Sequence, residues 1–168
     1  MKGVFRVPKT YAGICYDDVV RTYAQTVASV CMMQLNHPAD AEDCFQNTFL
    51  KLYTSSPDFK DERHLKAWLI RVAINECKST LRTRSRTLPL ESVAQIPVFI
   101  KESDADSAPA VLMRLKPKHR EVMYLYYCEE YKIDEIAKIL GKNVNTVKTR
   151  LRRAREEFKQ LYGGDDFE

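Results

Sequence analysis

The sequence is poor in glycine, with 5 in 168 residues, which leaves little material for a glycine-rich loop around a phosphate-bearing cofactor. Its cysteines form no Cys-x-x-Cys pair and its three histidines are scattered, so neither a disulfide framework nor a zinc site is expected. We find no signal peptide and no apolar run long enough to span a membrane. These absences argue against an enzyme, a metal or another cofactor, and they favour a cytoplasmic protein whose thiols stay reduced.

Charge and helical periodicity are what the sequence does contain. Charged residues make up 30% of the chain and the net charge is +4, a modest value that decides little by itself. The distribution is more informative, because residues 1–86 and 111–168 are mildly basic while residues 87–110 carry four acids and one base. Clustered basic residues create a field that attracts nucleic acid.

Nearly every long segment has the spacing of an amphipathic helix. The first block predicts helices over Asp17–Leu35, over Asp40–Tyr53, and from Glu62 or His64 to about Arg82. The second predicts a short helix at Val111–Leu115, one over Pro117–Glu130, and two more at the end. We therefore expect an all-α fold of two small helical domains, residues 1–86 and 111–168. Residues 87–110 contain three prolines and lose the periodicity, which indicates a flexible linker. Its apolar patch, Ile96–Ile100, either docks on a domain or partner or forms a short ordered piece.

The last thirty residues predict a helix-turn-helix. Gly141 follows the apolar residues of one short helix, and Asn143 or Asn145 is placed to cap the next. That next helix has an apolar stripe at steps of three and four, formed by Val144, Val147, Leu151, Ala154, Phe158 and Leu161. Between Lys142 and Arg155 there are six basic residues and no acid. One buried face and one cationic face suit the major groove of DNA, and the competing interpretation is a helical hairpin with a solvated basic face.

Three motifs, in this order, resemble the small, extracytoplasmic-function (ECF) sigma factors of the sigma-70 family of bacterial RNA polymerase. Asp40–Phe49 looks like the acidic helix with which these factors grip the polymerase clamp. Leu65–Asn75 looks like the helix that melts the promoter and reads its −10 element. Gly141–Arg155 looks like the helix that reads the −35 element. The resemblance covers Tyr16 to Leu161, nearly the whole chain.

The resemblance implies specific residues and partners. For the −35 element it implies Asn145, Thr146, Lys148, Thr149, Arg150, Arg152 and Arg153. For the −10 element and the opened strand it implies Ser56, Phe59, Lys60, Asn75, Lys78, Arg82 and Arg84. For polymerase binding it implies Asp43, Gln46, Asn47 and Leu50. The expected partners are the polymerase core (clamp and flap), promoter DNA and an anti-sigma factor, with no membrane insertion and no catalysis.

Other interpretations stay open. A DNA-binding regulator that acts without polymerase explains the helix-turn-helix, although it gives no reason for the second basic cluster at Lys78–Arg86. The acids at Asp40, Glu42 and Asp43 are also consistent with a helix start stabilised by the dipole. Trp68 shares its register with core positions, so we expect it in the core rather than on DNA. The linker acids Glu102, Asp104 and Asp106 are expected either to shield the basic faces or to serve as a passive tether.

Overall fold

A computed structural model describes residues 9–35, 37–87 and 107–163 of the chain, and it confirms the all-helical fold in two blocks. The first block contains strands β1 (Thr10–Tyr11) and β2 (Ile14–Cys15) and helices α1 (Tyr16–Gln34), α2 (Pro38–Ser55) and α3 (Glu62–Thr87). The second contains α4 (Ala108–Arg114), α5 (Pro117–Met123), α6 (Ile133–Leu140) and α7 (Val144–Tyr162). The predicted apolar patch at 96–100 and the acids at 102–106 lie outside the described ranges.

The first block is a bundle in which α1, α2 and α3 each pack against the other two. The core residues of α1 and α2 are Val19, Tyr23, Val27, Val30, Cys31, Ala41, Cys44, Thr48, Phe49 and Leu52. Those of α3 are Leu65, Leu69, Ile70, Ala73, Ile74 and Cys77. Thr48 is the polar member, and its hydroxyl donates to the Cys44 carbonyl at 2.7 Å, so the buried group is satisfied.

Three of the five free cysteines, Cys31, Cys44 and Cys77, are buried in this bundle. Burial raises the pKa of the Cys44 thiol to about 11. A hydrogen bond with Cys31, together with burial, raises the pKa of Cys77 as well. A thiol that stays protonated is a poor nucleophile, so Cys44 and Cys77 act as small apolar core residues, and the fully buried Cys31 packs beside Cys77 in the same core.

A two-stranded hairpin precedes α1, and no pattern in the sequence predicted it. Thr10 pairs with Cys15 and Tyr11 with Ile14 in antiparallel register. The two turn residues, Ala12 (φ 50°) and Gly13 (φ 83°), both have positive φ, as the central residues of a type I′ hairpin turn do. Glycine adopts that backbone freely, whereas alanine does so at a cost.

The second block is organised around α7, which packs on α4, α5 and α6. Ser107 caps α4 by accepting from the Ala110 amide at 3.4 Å. Helix α5 continues into one π-helical turn, Tyr124–Cys128, before the chain reaches α6. Gly141 ends α6 in the left-handed conformation (φ 60°) that the sequence predicted. Asn143 caps α7, with its side-chain oxygen accepting from the Thr146 amide at 2.7 Å, which decides between the two predicted capping residues.

Some predicted boundaries and core positions were wrong. Helix α3 continues to Thr87 rather than ending near Arg82, because no proline or glycine interrupts the chain before Pro89. Helix α4 begins at Ala108, inside the predicted linker. Leu81, which the helical spacing of α3 also predicts as a core residue, is 43% exposed, because it lies beyond Cys77, the last of the described α3 side chains that is buried. Val144, the first residue of α7, is 39% exposed and does not belong to the buried stripe.

Candidate nucleic-acid and protein interfaces

Helix α7 has one buried and one solvent-facing side. Val147, Leu151 and Ala154 are buried in the second block. Because α-helical geometry places the intervening residues on the opposite side, most of the predicted −35 residues are exposed. The exposed ones are Asn145, Lys148, Thr149, Arg152 and Arg153, whereas Thr146 and Arg150 are half-buried at the edges of this face. We call these seven residues the α7 face.

Two arginines of the α7 face have carboxylate neighbours. Arg152 contacts Glu156 one turn later at 2.6 Å, and both side chains are exposed. Arg150 lies 3.9 Å from Glu121 of α5, whose side chain is only 5% exposed. An exposed pair of the first kind contributes little free energy, so Arg152 remains available to a DNA base. Arg150, by contrast, is half-buried, and its partner Glu121 is a buried residue of the same domain.

The predicted −10 residues lie on α3 and on the loop before it. Ser56, Lys60, Asn75 and Arg82 are exposed. Phe59 is half-buried, because its ring packs edge-on against His64 and Trp68, with centroid distances of 5.4 and 5.7 Å. Trp68 is itself packed against the core, as expected. The structure therefore places Phe59 as a support of the loop, with part of its surface open to solvent.

Lys78 and Arg84, the other two predicted −10 residues, are engaged in ion pairs. Lys78 Nζ lies 3.1 Å from Glu121 Oε1, and Arg84 Nε lies 2.7 Å from Asp40 Oδ2. The Arg84 pair ties α3 to the start of α2 within the first block. The Lys78 pair crosses between the blocks, which pack together through α1 with α5 and α3 with α6.

Sequence reasoning missed three further cations of α3, namely Arg63, Lys66 and Arg71. Arg63 makes a two-pronged contact with Glu135 of α6, in which its Nε and its second terminal nitrogen each lie 2.7 Å from a carboxylate oxygen. Lys66 Nζ lies 2.6 Å from Glu129, whose side chain is 8% exposed. Arg71 is exposed beside the cleft of about 370 Å³ between α3 and α6. Arg71 precedes Lys78 by seven residues, or two helical turns, so both side chains lie on the same face of α3. This spacing is the feature of the sequence that would have predicted Arg71 as a further cation of that face.

The contact between Arg63 and Glu135 has a measurable electrostatic signature. The hydrogen bonds from Arg63 are the main cause that lowers the pKa of Glu135 to about 2, and the Lys132 amide, which donates at 2.8 Å, lowers it further. A carboxyl group whose pKa is depressed in the folded protein stabilises the contact above its ordinary pKa of 4.5. That contribution is lost as the pH falls from about 4.5 towards 2.

We therefore expect Glu135 to titrate abnormally. In a pH series followed by NMR of the side-chain carboxyl carbons, Glu135 should titrate near pH 2. In Arg63→Ala, the Glu135 pKa should move back towards the ordinary value, because the dominant cause of the shift has been removed. Arg71→Ala, on the same helix, is the matched control. A Glu135 pKa that is ordinary in the wild type would show that this pair does not form in solution.

The predicted polymerase-binding residues form one exposed strip on α2. Asp43, Gln46, Asn47 and Leu50 follow one another at steps of three, one and three, and all four are exposed. Leu50 is the one large apolar side chain of this otherwise polar strip, and it is 57% exposed. Charged and amide groups around one apolar residue are typical of a protein-binding surface. We call these four residues the α2 strip.

A cationic helix-turn-helix beside a second helical block is typical of a DNA-binding protein. Residues 19–87 match the family model of Sigma-70 region 2, and residues 106–158 match that of Sigma-70, region 4. The chain is 32% identical over 143 residues to an RNA polymerase sigma-E factor of Streptomyces coelicolor, covering 83% of this chain and 81% of that protein. It is 29% identical over 153 residues to the ECF RNA polymerase sigma factor SigM of Mycobacterium tuberculosis, covering 88% and 77%.

Solved structures agree with these relatives. The sigma factor RpoE from Bartonella quintana, in complex with the anti-sigma factor NepR, has a TM-score of 0.72 and 25% identity to this chain. The match covers 89% of this chain and 98% of that one. The chain belongs to the sigma-70 family of RNA polymerase sigma factors, in its ECF group. It is an RNA polymerase sigma factor for transcription initiation, a role without catalysis of its own. Within the described ranges, no helix combines the length and apolarity needed to cross a membrane.

Proposed function

We propose that the two blocks divide promoter recognition between them. Residues 1–86 bind the polymerase clamp through the α2 strip, and they read and melt the −10 element through α3 and the loop before it. Residues 111–168 contact the flap and read the −35 element through the α7 face. Residues 87–110 link the two, and the protein acts in the cytoplasm. The observation that carries this proposal is α7, which buries an apolar side in its own domain and, from Val144 to Arg155, turns a cationic side without acids to solvent.

The direct test is run-off transcription with purified core polymerase from the same host and a promoter library. We expect the protein to direct core enzyme to a defined set of start sites that share a −35 and a −10 element. Initiation no better than that of core enzyme alone, at saturating protein, would contradict the proposal. A regulator that acts without polymerase would instead bind its own DNA site in the absence of core enzyme, and this is measured in the same samples by footprinting.

Glu121 connects the two predicted DNA-binding helices in the free protein. Its carboxylate lies 3.1 Å from Lys78 of α3 and 3.9 Å from Arg150 of α7, and it accepts from Gln34 at 3.1 Å. The one buried carboxylate of Glu121 thus pairs with one cation of each proposed DNA-binding surface. Three of the described acids that pair with cations of α3, namely Glu121, Glu129 and Glu135, belong to the second block. We therefore propose that the second block shields the −10 surface until polymerase separates the blocks.

The matching prediction concerns Glu121→Gln. Glutamine keeps the size of the side chain but removes the charge, so Lys78 and Arg150 lose an attractive partner that competes with phosphate. We expect the free protein to bind duplex DNA more tightly, by roughly three- to tenfold at low salt, as for the loss of one partly buried ion pair. Fluorescence anisotropy at several salt concentrations measures the effect. Glu42→Gln, an equal charge change on α2, is the control, and an equal rise in both variants would contradict the specific role of Glu121.

We also propose an anti-sigma partner. The support is the similarity to RpoE, which was solved bound to the anti-sigma factor NepR. A partner of this kind would hold the protein off DNA by covering surfaces of both blocks. The test is a pull-down of the tagged full chain from its native host under non-inducing conditions. Recovery of polymerase subunits without any further stoichiometric protein would contradict an anti-sigma factor.

A further inference from the structure

The hairpin before α1 lies against the end of α2. Its two ends are closed by a hydrogen bond from the Tyr16 amide to the Lys9 carbonyl at 2.9 Å. Tyr11 is 3% exposed, and its ring lies 6.3 Å from the ring of Tyr16. We call Lys9 together with the hairpin Thr10–Cys15 the N-terminal latch. It is fixed to the bundle by side chains, and the polar contacts of those side chains converge on one place.

That place is the last turn of α2. Lys9 Nζ donates to the Tyr53 carbonyl and to the Ser56 hydroxyl oxygen, the latter at 2.7 Å, and it lies 4.3 Å above the Tyr53 ring. The Tyr11 hydroxyl donates to the Leu52 carbonyl at 3.1 Å. The last carbonyls of a helix have few partners within the helix. The latch donates to two of them, at Tyr53 and Leu52, which also accept from the hydroxyl and the amide of Ser56 at 3.2 and 3.1 Å.

The chain leaves α2 through an uncommon backbone conformation. Ser56 has φ 45°, in the left-handed region that residues with a side chain rarely adopt. Its conformation sets the direction in which the loop 56–61 departs towards α3. The latch also contacts the loop further on, because the Tyr11 ring lies 6.3 Å from the ring of Phe59. The loop is therefore held at two points, by the hydrogen bond from Lys9 to Ser56 and by the contact between the rings of Tyr11 and Phe59.

We propose that the N-terminal latch is a positioning element for −10 recognition. By holding the end of α2 and the ring of Phe59, it fixes the loop that presents Ser56 and Lys60, both exposed, to the opened promoter strand. This inference rests on the proposed function of that loop. Lys9 and Tyr11 act through the loop rather than on the DNA, and a recognition loop held rigidly loses less conformational entropy when it captures a base.

The test compares the full-length variants Lys9→Met and Tyr11→Phe, which each remove a donor, with Lys9→Arg, which restores one. Lys118→Met, at an exposed position of α5, is the matched control. In holoenzyme, we expect Lys9→Met and Tyr11→Phe each to lower promoter opening and discrimination between −10 sequences by about three- to tenfold, the effect of one lost hydrogen bond. Discrimination between −35 sequences should stay close to the wild type, and the melting temperature should fall by no more than the several degrees that one lost hydrogen bond gives. Lys9→Arg should recover most of the loss.

A second measurement needs no polymerase. Trp68 is the single tryptophan of the chain and it packs against Phe59, so its fluorescence reports on the loop. We expect acrylamide to quench Trp68 more strongly in Lys9→Met than in the wild type or Lys118→Met. Unchanged quenching would refute the latch. Equal losses of −10 and −35 discrimination would show a general structural effect and overturn the positioning role. Failure of the wild type to initiate at any promoter would instead refute the proposed function.

Discussion

The double substitution Asp43→Lys and Leu50→Ala is expected to weaken binding of core polymerase by about 30-fold or more, the loss typical of removing a central interface residue. Leu50 is more than half exposed among polar neighbours, so its burial by a partner would supply the apolar part of the contact. Asp43 lies two helical turns earlier on the same strip, and a lysine there reverses the charge that the partner meets. Because both side chains are exposed, the fold itself should tolerate the change.

The control for this prediction changes the same residue types elsewhere. Asp18→Lys on α1 and Leu81→Ala on α3 replace an exposed aspartate and an exposed leucine outside the α2 strip. Affinity is measured by competition with labelled wild-type protein for core enzyme, and stability by thermal unfolding of each variant. A loss no greater than that of the control double variant would contradict a role for the α2 strip. A lower melting temperature in the test variant alone would attribute the loss to folding.

Arg152→Ala and Arg153→Ala are expected to change which −35 sequences are used. An arginine that reads a guanine edge contributes ~1–3 kcal/mol at one base position, which corresponds to a loss of about 5- to 150-fold for the preferred base. Both side chains are exposed on the α7 face, and the exposed pair between Arg152 and Glu156 costs little to break. The measurement is initiation by holoenzyme on a library randomised across the −35 element.

Arg82→Ala is the contrasting variant. Arg82 is exposed on α3, and its Nε donates to the Lys78 carbonyl at 3.3 Å. A phosphate contact should weaken all promoters alike and reduce the salt dependence of binding by about one ion. Arg84 was predicted for the same role, but its pair with Asp40 means that a substitution there would also loosen α2 from α3. Losses that are independent of sequence in all three variants would leave the base-reading assignment without support.

Local signals in the sequence predicted the second block well. The spacing of Val147, Leu151 and Ala154 alone places the basic residues of α7 on the solvent side, and Gly141 marks the end of α6. These features depend on neighbours within one or two helical turns, so they are predictable from the local sequence without knowledge of the rest of the fold. The sequence did not predict which of Asn143 and Asn145 caps α7, because either side chain is able to accept from the amides of the first turn. The residue at which the helix begins decides between them.

The hairpin could not be predicted for a physical reason. Its strands are two residues long, too short to show alternation, and its turn places Ala12 where glycine or asparagine is usual. The hairpin is stabilised by contacts with residues 41 and 47 positions away, from Tyr11 to Leu52 and from Lys9 to Ser56. Propensity over a short window does not register such contacts.

The sequence by itself determined the helices, the two-block order and the residues exposed on α2 and α7, because helical periodicity ties each side chain to a face. The tertiary structure alone decided which cations are engaged in the free protein. Lys66, Lys78 and Arg63 meet Glu129, Glu121 and Glu135 across 43 to 72 positions of chain. A long-range ion pair depends on where two helices meet in space, and no local pattern of charge encodes that distance.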